Sequence, residues 1–499
     1  MGAERRPAGR LRALFTPGRA LLVALVGLSG LRLAFAASAE LSPDEAYYWV
    51  WSRDLAAGYF DHPPLVAYLV RLGTWLLGDG ALGVRAPAVL CALLAAWLVL
   101  PAVRRLTDDG WLGFWMALLA SAAPVMSAGA VIHTPDSALA AAWMLALVFA
   151  LRAFDRDRLA DWLGLGAAAG LAALAKHSGL LLLPGLVLFF LSCKHGRARL
   201  RSAGPVWAVL VAALMLAPNV LWDMKHAGGA LSFQLGHAAG ELMLRPLGLL
   251  ELVGGQAGVL SPLLWLGLVA FMLLGWRRAV RFGRPQAYLM WCLSGPLLLG
   301  FTLLSIVHKV EANWPAVAYL AAVPGAAWGL RGGLLFLRRF RLWYASALGL
   351  AVGISLVAHI HALAPFLPLE QAVDPTARLR GWQALGEQAL ADARALDACL
   401  AAEGYAATSE LRYVTRQDVI YEPSSARRSQ YDIWAAGGDA AAVKADGCRS
   451  LLVLQPRSTP YPPRLCKQAA ERWLLDRDRA PGHCPDFRWW VCVDPLGLR

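Results

Sequence analysis

Two adjacent carboxylates follow the first apolar block of the chain, in the segment SPDEAYYWVW. Pro43 suits the first turn of a helix, where the carboxylates of Asp44 and Glu45 would be stabilised by the helix dipole. Such a pair at a membrane surface could act as a general base and its neighbour. The aromatic residues Tyr47 and Tyr48 equally suit a capped helix that lies in the membrane interface. The residues alone leave both interpretations open.

A second polar pair, Asp61 and His62, follows in the segment GYFDHPPL. A histidine beside an aspartate can bind phosphate when it is protonated, or a metal ion when it is neutral. Most such pairs are structural. A divalent metal at Asp61 or His62 is therefore one interpretation, and nothing in the sequence requires a cofactor.

Further polar residues interrupt the apolar blocks. Asp136 lies in the turn HTPD and could cap the next helix. Lys176 and His177 separate two apolar runs, where charge is costly and indicates a functional site, although a lysine can also extend to the interface. The segment HKVEANWP adds Lys309, Glu311 and Asn313. Cations that could hold a lipid phosphate are Arg32, Arg71, Arg85, Lys176, His177 and Lys309.

The composition predicts a membrane protein, because 58% of the 499 residues are hydrophobic and only 16% are charged. The apolar residues form blocks of helix-spanning length without the alternation of barrel strands. Arginine-rich segments between these blocks indicate cytoplasmic loops, so the net charge of +13 does not indicate nucleic acid as a partner. About eleven transmembrane helices are predicted, near residues 20–37, 82–102, 111–130, 137–152, 161–175, 179–193, 204–221, 255–276, 287–306, 314–330 and 342–363.

This topology divides the chain into two predicted domains. Residues 1–363 form an all-α polytopic bundle with the N-terminus inside and a first periplasmic loop at 38–77. Residues 364–499 form a small extracytoplasmic α/β domain, with a helix at 381–400 and buried strands at 450–454 and 488–493. An oxidising compartment would permit disulfides among the five cysteines of this domain, Cys399, Cys448, Cys466, Cys484 and Cys492.

No soluble-nucleotide motif is present, neither a Gly-rich loop followed by Lys-Ser/Thr nor a dinucleotide fingerprint. An enzyme that works outside the cytoplasm has no supply of nucleotide sugars. A lipid-borne donor is therefore the sensible substrate.

Several motifs resemble the bacterial GT-C class of polytopic glycosyltransferases, of the family 39 and 83 type. The resemblance is to protein O-mannosyltransferase-like proteins and to aminoarabinose or galacturonosyl transferases of lipid A. It rests on an arginine in the first span and on DEAYYW, GYFDHPPL, VR, TPD, KH, KVEANWP and the tail segment RSQYDIW. The matching motifs are spread over nearly the whole chain, and those of the first loop are the most specific.

The resemblance implies transfer of a sugar from a polyprenyl-phosphate donor to lipid A, a core glycolipid or a protein, at the periplasmic face of the inner membrane. It makes Asp44 the candidate catalytic residue and Glu45 a weaker one. Cations at the donor phosphate would be Arg32, His62, Arg85, Lys176, His177 and Lys309, with supporting roles for Tyr47, Tyr48, Asp61, Asp136, Glu311 and Asn313. His62 stands where aminoarabinose transferases carry a lysine, so the galacturonosyl branch or an uncharacterised branch is the better match.

The sequence also fits two other classes of protein. A transporter or flippase of lipid-linked sugars would also span the membrane, but such proteins often show repeated halves, and none is visible here. A structural protein whose tail recruits envelope partners is the third. Clustering of the charged residues at one predicted face favours an enzyme.

Overall fold

The computed structural model describes residues 16–226, 243–331, 340–370, 373–424, 427–437, 448, 450–456, 459, 461, 463, 465–472 and 487–495. Its α-helices are numbered in chain order. They are α1 Pro17–Ser38, α2 Pro43–Trp51, α3 Leu65–Leu77, α4 Ala81–Thr107, α5 Gly110–Ala122, α6 Pro124–Gly129, α7 Pro135–Arg156, α8 Leu159–Ala175, α9 Leu182–Ser192, α10 Lys194–Arg199, α11 Gly204–Lys225, α12 Gly248–Leu260, α13 Pro262–Arg281, α14 Pro285–Cys292, α15 Gly295–Ser305, α16 Ala316–Arg331, α17 Phe340–Leu363, α18 Trp382–Ala395, α19 Gly404–Thr415 and α20 Gln430–Gly437.

Every predicted apolar block contains helix, and the protein is a multi-pass membrane protein. Among the described residues, seven helical stretches are long and apolar enough to cross a membrane. Three of the predicted blocks are divided between two helices. At two of the divisions, Pro124 and Pro262 open the second helix, because a proline lacks the N–H that would continue the first. The count of eleven crossings stays a prediction.

The chain separates into two compact units. The first unit comprises residues 1–34, 87–221 and 234–357, and its described part is helical. The second unit comprises residues 35–86, 222–233 and 358–499, so it joins the predicted first loop with the predicted tail domain. The domain boundary predicted at residue 363 stays a prediction.

A five-stranded sheet lies in the C-terminal part of the second unit, and it includes the two strands predicted at 450–454 and 488–493. Its strands are β1 Ala398–Glu403, β2 Ile420–Glu422, β3 Ser450–Pro456, β4 Cys466–Arg472 and β5 Phe487–Pro495, in the order β2-β1-β3-β5-β4. β1 pairs in parallel with β2 and β3, whereas β5 runs antiparallel to β3 and β4. The connection from β1 to β2 passes through α19, which places the start of α19 at the carboxyl end of β1.

This sheet has an apolar core and carries a disulfide. Leu400 and Leu452 are buried on one face with Trp382 of α18, and Leu451 and Val453 are buried on the other. A disulfide joins Cys399 of β1 to Cys448, just before β3. Of the other tail cysteines, Cys484 lies outside the described residues.

Candidate active site

Helix α2 begins at a capping box in the second unit. The backbone N–H of Glu45 donates to the Ser42 hydroxyl over 3.4 Å, and the Ser42 N–H donates to the Glu45 carboxylate over 3.0 Å. Pro43 occupies the first helical position, as predicted. This arrangement satisfies two of the N–H groups that a helix start leaves unpaired. It also fixes the direction in which the next side chain, Asp44, leaves the helix.

The carboxylate of Glu45 is paired with Arg85 and fully buried. Nε and Nη2 of Arg85 donate to the two carboxylate oxygens, each over 2.8 Å. The remaining guanidinium N–H groups donate to the carbonyls of Ala36, Ala39 and Glu40 over 2.6–3.2 Å. All five donors of Arg85 are thus used within the protein. The geometry therefore favours a structural role for Glu45 and Arg85 over the catalytic and phosphate-binding roles predicted from the sequence.

The aromatic side chains of α2 are buried in the second unit. Tyr47, Tyr48, Trp49 and Trp51 are each at most 8% exposed. Tyr47 stacks on Tyr431 with ring centroids 5.8 Å apart. The alternative expectation, that these aromatics anchor α2 in the membrane interface, is therefore wrong, because protein side chains already cover them.

Asp44 keeps a partly exposed carboxylate at the same helix start. Its Oδ1 accepts a hydrogen bond from the phenol of Tyr405 over 3.1 Å. Tyr405 belongs to the first turn of α19, at the carboxyl end of the parallel strands. Burial raises the pKa of Tyr405, so this phenol stays a hydrogen-bond donor at neutral pH. Asp44 is thus oriented by one neutral donor and remains open on another side.

The carboxylate of Asp61 lies deeper and has two partners. Oδ2 accepts from the Tyr47 phenol over 2.9 Å, and Oδ1 pairs with the Arg427 guanidinium. Burial raises the pKa of Asp61 to about 6, even though Arg427 and the Tyr47 hydrogen bond lower it. The neighbouring charge of Asp44 raises it further. The charge of Asp44 thus acts on Asp61, and the direct counter-charge of Asp61 is Arg427.

The tail supplies residues that the sequence motifs did not assign. The guanidinium of Arg427 lies 4.7 Å from the ring centroid of Tyr405. The backbone N–H of Gln430 donates to the Tyr47 phenol over 2.5 Å, and the Gln430 side chain accepts from the N–H of Phe60 over 2.8 Å. Gln430 lies in the motif RSQYDIW and Arg427 directly precedes it, but spacing alone does not place this segment against the first loop.

His62 follows Asp61 and is half-buried, with its ring centroid 6.2 Å from that of Tyr48. Throughout the described ranges, no group of three or more His, Cys, Asp or Glu side chains is arranged to hold a metal ion. Asp61 is instead paired with a cation. A metal at Asp61 or His62 thus has no support from the geometry.

A separate polar cluster lies in the first unit. The ammonium of Lys176 donates to both oxygens of Asp136 over 2.9 and 3.0 Å, and the Asn313 amide donates to Asp136 over 3.2 Å. The N-cap of α7 is Thr134, so Asp136 binds Lys176 rather than capping the helix. His177 follows at the start of a short 3₁₀ helix. Lys309 and Glu311 form an exposed ion pair of 2.9 Å.

Arg32 of α1 is buried in the first unit without a carboxylate partner among the described residues. One of its terminal nitrogens donates to the carbonyl of Ser121 over 2.8 Å, whereas its Nε has no partner there. The side chain borders an apolar cavity. The lining includes Ala92, Val99, Leu264, Leu268, Val317 and Leu320. A buried, uncompensated guanidinium on an apolar cavity suits an anion that carries a hydrocarbon chain.

The comparisons with known proteins agree with this fold and with these motifs. Residues 61–222 match the family described as dolichyl-phosphate-mannose-protein mannosyltransferase. A solved structure, ArnT from Cupriavidus metallidurans bound to undecaprenyl phosphate, superimposes with a TM-score of 0.62 at 19% identity, covering 95% of this chain and 98% of that one. The fold is therefore similar to that of ArnT, and the resemblance that the motifs predict is confirmed.

Two relatives are similar in sequence over part of their length. A lipid A galacturonosyltransferase of Rhizobium johnstonii is 30% identical over 294 residues, which cover 57% of this chain and 59% of that protein. An undecaprenyl phosphate-α-4-amino-4-deoxy-L-arabinose arabinosyl transferase of Pseudomonas fluorescens is 31% identical over 183 residues, 36% of this chain and 31% of that protein. The chain thus matches less than two thirds of either relative.

Proposed function

We propose that this protein is a membrane glycosyltransferase that moves a sugar from a polyprenyl-phosphate donor to lipid A or a related core glycolipid. The reaction takes place at the periplasmic face of the bacterial inner membrane. The observation that carries the proposal is the partly exposed carboxylate of Asp44, held at a helix start by Tyr405 beside the buried pair of Asp61 and Arg427. The partly exposed carboxylate of Asp44 is the candidate base, and the paired carboxylate of Asp61 has a supporting role.

The chemistry is a displacement at the anomeric carbon of the donor. An acceptor hydroxyl attacks this carbon and forms the new glycosidic bond, while the bond from the carbon to the phosphate oxygen breaks. Asp44 takes the hydroxyl proton, or orients the hydroxyl for attack. The polyprenyl phosphate leaves with the electron pair of the broken bond, and nearby cations stabilise its added charge.

The roles of the other residues follow from their contacts. Tyr405 positions Asp44, and Tyr47 positions Asp61. Arg427 balances the carboxylate of Asp61, so that Asp44 is the group left to accept a proton. Glu45 and Arg85 fix the start of α2 and do not take part in the reaction.

The donor lipid finds matching chemistry in the first unit. The apolar cavity beside Arg32 suits a polyprenyl chain, and the Arg32 guanidinium suits its phosphate. Lys176, His177, Lys309 and His62 remain proposed contacts of the donor phosphate. Asp136 and Asn313 hold Lys176 in place, and Glu311 does the same for Lys309.

The relatives support the classes of donor and acceptor. The arabinosyl transferase is named for undecaprenyl phosphate, the ArnT structure is bound to undecaprenyl phosphate, and the Rhizobium relative is named as a lipid A galacturonosyltransferase. We propose a glycolipid acceptor before a protein acceptor on this ground. A uronic acid is the favoured sugar because the galacturonosyltransferase gives the longer match and His62 replaces the lysine expected of aminoarabinose transferases.

The test is transfer by the purified protein in nanodiscs. Wild type, Asp44→Asn and Asp54→Asn are each mixed with polyprenyl-phosphate sugars and lipid A, and the products are followed by mass spectrometry. Asp54 is an exposed carboxylate of the same loop and provides the matched control. We expect Asp44→Asn to lose about a hundredfold in rate or more, and Asp54→Asn to keep the wild-type rate.

Equal rates for all three proteins would contradict the role of Asp44. A wild type that transfers no sugar, but moves lipid-linked sugars across a sealed bilayer, would identify a flippase instead.

A further inference from the structure

Two arginines enclose the indole ring of Trp49 in the second unit. The guanidinium carbons of Arg53 and Arg416 lie 4.9 and 4.7 Å from the ring centroid. Both arginines approach Asp79, with N–O distances of 3.4 and 3.6 Å, and the indole N–H donates to the same carboxylate over 2.6 Å. We call these four residues the Trp49 cluster. The two guanidinium groups are fixed in place, yet the side chains of Arg53 and Arg416 are each about a third or more exposed.

The Trp49 cluster carries more positive than negative charge. The side chain of Arg71 makes no hydrogen bond or ion pair with any residue that the structure describes, and it is exposed. Burial lowers the pKa of Arg53, Asp79 opposes that change, and Arg71 and Arg416 add to it. The Thr74 hydroxyl links the two arginines, because it accepts from Nη2 of Arg53 over 2.9 Å and donates to the Arg71 carbonyl over 3.2 Å. Arg53 and Arg416 share the Asp79 carboxylate, and Arg71 has no carboxylate partner among the described residues, which leaves two positive charges for another anion.

Helix α3, which carries Arg71, exposes an apolar face. Tyr68, Leu72, Trp75 and Leu76 are 40–76% exposed, and their spacing of four, three and one residues places them on one side of the helix. The opposite side is buried in the second unit. The helix has 13 residues, about 20 Å, which is too short to cross a bilayer core. An apolar face with tryptophan on a helix of this length suits a position along the membrane surface.

We propose that the Trp49 cluster, together with Arg71, binds the phosphate of an anionic phospholipid in the leaflet against which α3 lies. Guanidinium groups match phosphate oxygens in pairs, and stacking on an indole ring holds them in position before binding. The exposed face of α3 identifies the source of the phosphate, because it places Arg71 at the depth of lipid headgroups. The ligand is thus a membrane phospholipid and not the sugar donor.

The test measures lipid binding to the full-length protein, independently of sugar transfer. The protein is delipidated in detergent and titrated with phosphatidylglycerol or phosphatidylcholine, and bound lipids are counted by native mass spectrometry. The variants are Arg71→Gln, Arg416→Gln and both together. Arg394→Gln, on an exposed arginine of α18, removes the same charge elsewhere in the second unit.

We expect wild type to prefer phosphatidylglycerol. Each substitution should lower that affinity about fivefold, the equivalent of about 1 kcal/mol per arginine near an anionic surface. Binding of phosphatidylcholine, and both affinities of Arg394→Gln, should stay as in wild type. A wild type without preference, or a double variant that binds phosphatidylglycerol as tightly as wild type, would overturn the proposal. If Arg416→Gln fails to fold, Arg71→Gln decides the question alone, because Arg71 contributes no side-chain bond within the described ranges.

Discussion

Replacing Glu45 by Gln tests whether this carboxylate is structural or catalytic. The substitution keeps the shape of the side chain, and glutamine can still close the capping box with Ser42. It removes the negative charge that faces Arg85, both side chains being 0% exposed. Three of the five Arg85 donors keep their carbonyl partners, so the guanidinium stays buried without a counter-charge.

The expected cost follows from this geometry. Breaking a buried ion pair by removing one partner costs about 3–5 kcal/mol, because an uncompensated charge stays inside. We expect the lower end, about 3 kcal/mol, because the glutamine carbonyl can still accept one of the two hydrogen bonds. Unfolding of wild type, Glu45→Gln and Asp44→Asn is followed by tryptophan fluorescence in one detergent, and sugar transfer is measured well below the unfolding temperature.

The two variants should behave in opposite ways. Glu45→Gln should unfold at a clearly lower temperature, while the protein that remains folded transfers sugar at nearly the wild-type rate. Asp44→Asn should keep its unfolding temperature and lose transfer. A Glu45→Gln protein of wild-type stability that transfers no sugar would refute the structural assignment and make Glu45 part of the chemistry.

Four further results are expected. Transfer should fall as the pH drops through about 6, because Asp61 with its raised pKa is ionised above that value and loses its attraction for Arg427 below it. If the transfer rate of Asp61→Asn fell in the same way at low pH, this explanation would be contradicted. Tyr405→Phe should slow transfer about tenfold by removing a hydrogen bond to a carboxylate, with Tyr421→Phe, whose phenol donates to Asp432, as the comparison. Replacing Cys399 and Cys448 by Ser should lower the free energy of unfolding of the tail by about 4 kcal/mol, since the disulfide closes a loop of 49 residues, and unchanged protease resistance of the tail would contradict this. Arg32→Leu should weaken the binding of undecaprenyl phosphate without lowering thermal stability, because an uncompensated buried charge is removed; a variant that binds the lipid normally would exclude Arg32 from the donor site.

The sequence predicts the helical membrane fold and two of the five tail strands, because these rest on local patterns. The helix predicted at 381–400 ends at Ala395, and β1 begins at Ala398. Apolar blocks of sufficient length become helices, and the apolar runs at 450–454 and 488–493 become β3 and β5. The sequence does not predict the places where a helix ends inside an apolar block. Pro124 and Pro262 mark two of these places, and the length of the block alone hides them.

The candidate site could be predicted only for its first-loop half. The pattern around Asp44 and Glu45 identifies two carboxylates but cannot say which is paired, since the partner of Glu45 comes 40 residues later and that of Asp44 361 residues later. Tertiary contacts over such separations leave no periodic signal. The sequence predicts Arg85 as a phosphate ligand for the same reason, because its charge is visible in the sequence and its five hydrogen-bond acceptors on four residues are not.

The contact between Asp61 and Arg427 joins residues 366 positions apart, and that between Tyr47 and Gln430 joins residues 383 apart. A ribosome that has made the first loop must therefore complete almost the whole chain before these partners exist. Until the tail has been synthesised and folded, Asp61 lacks its counter-charge and Asp44 lacks the phenol that orients it. If Asp44 is the base that we propose, an unfinished chain should therefore be inactive, and a chain truncated before Tyr405 should have an incomplete site.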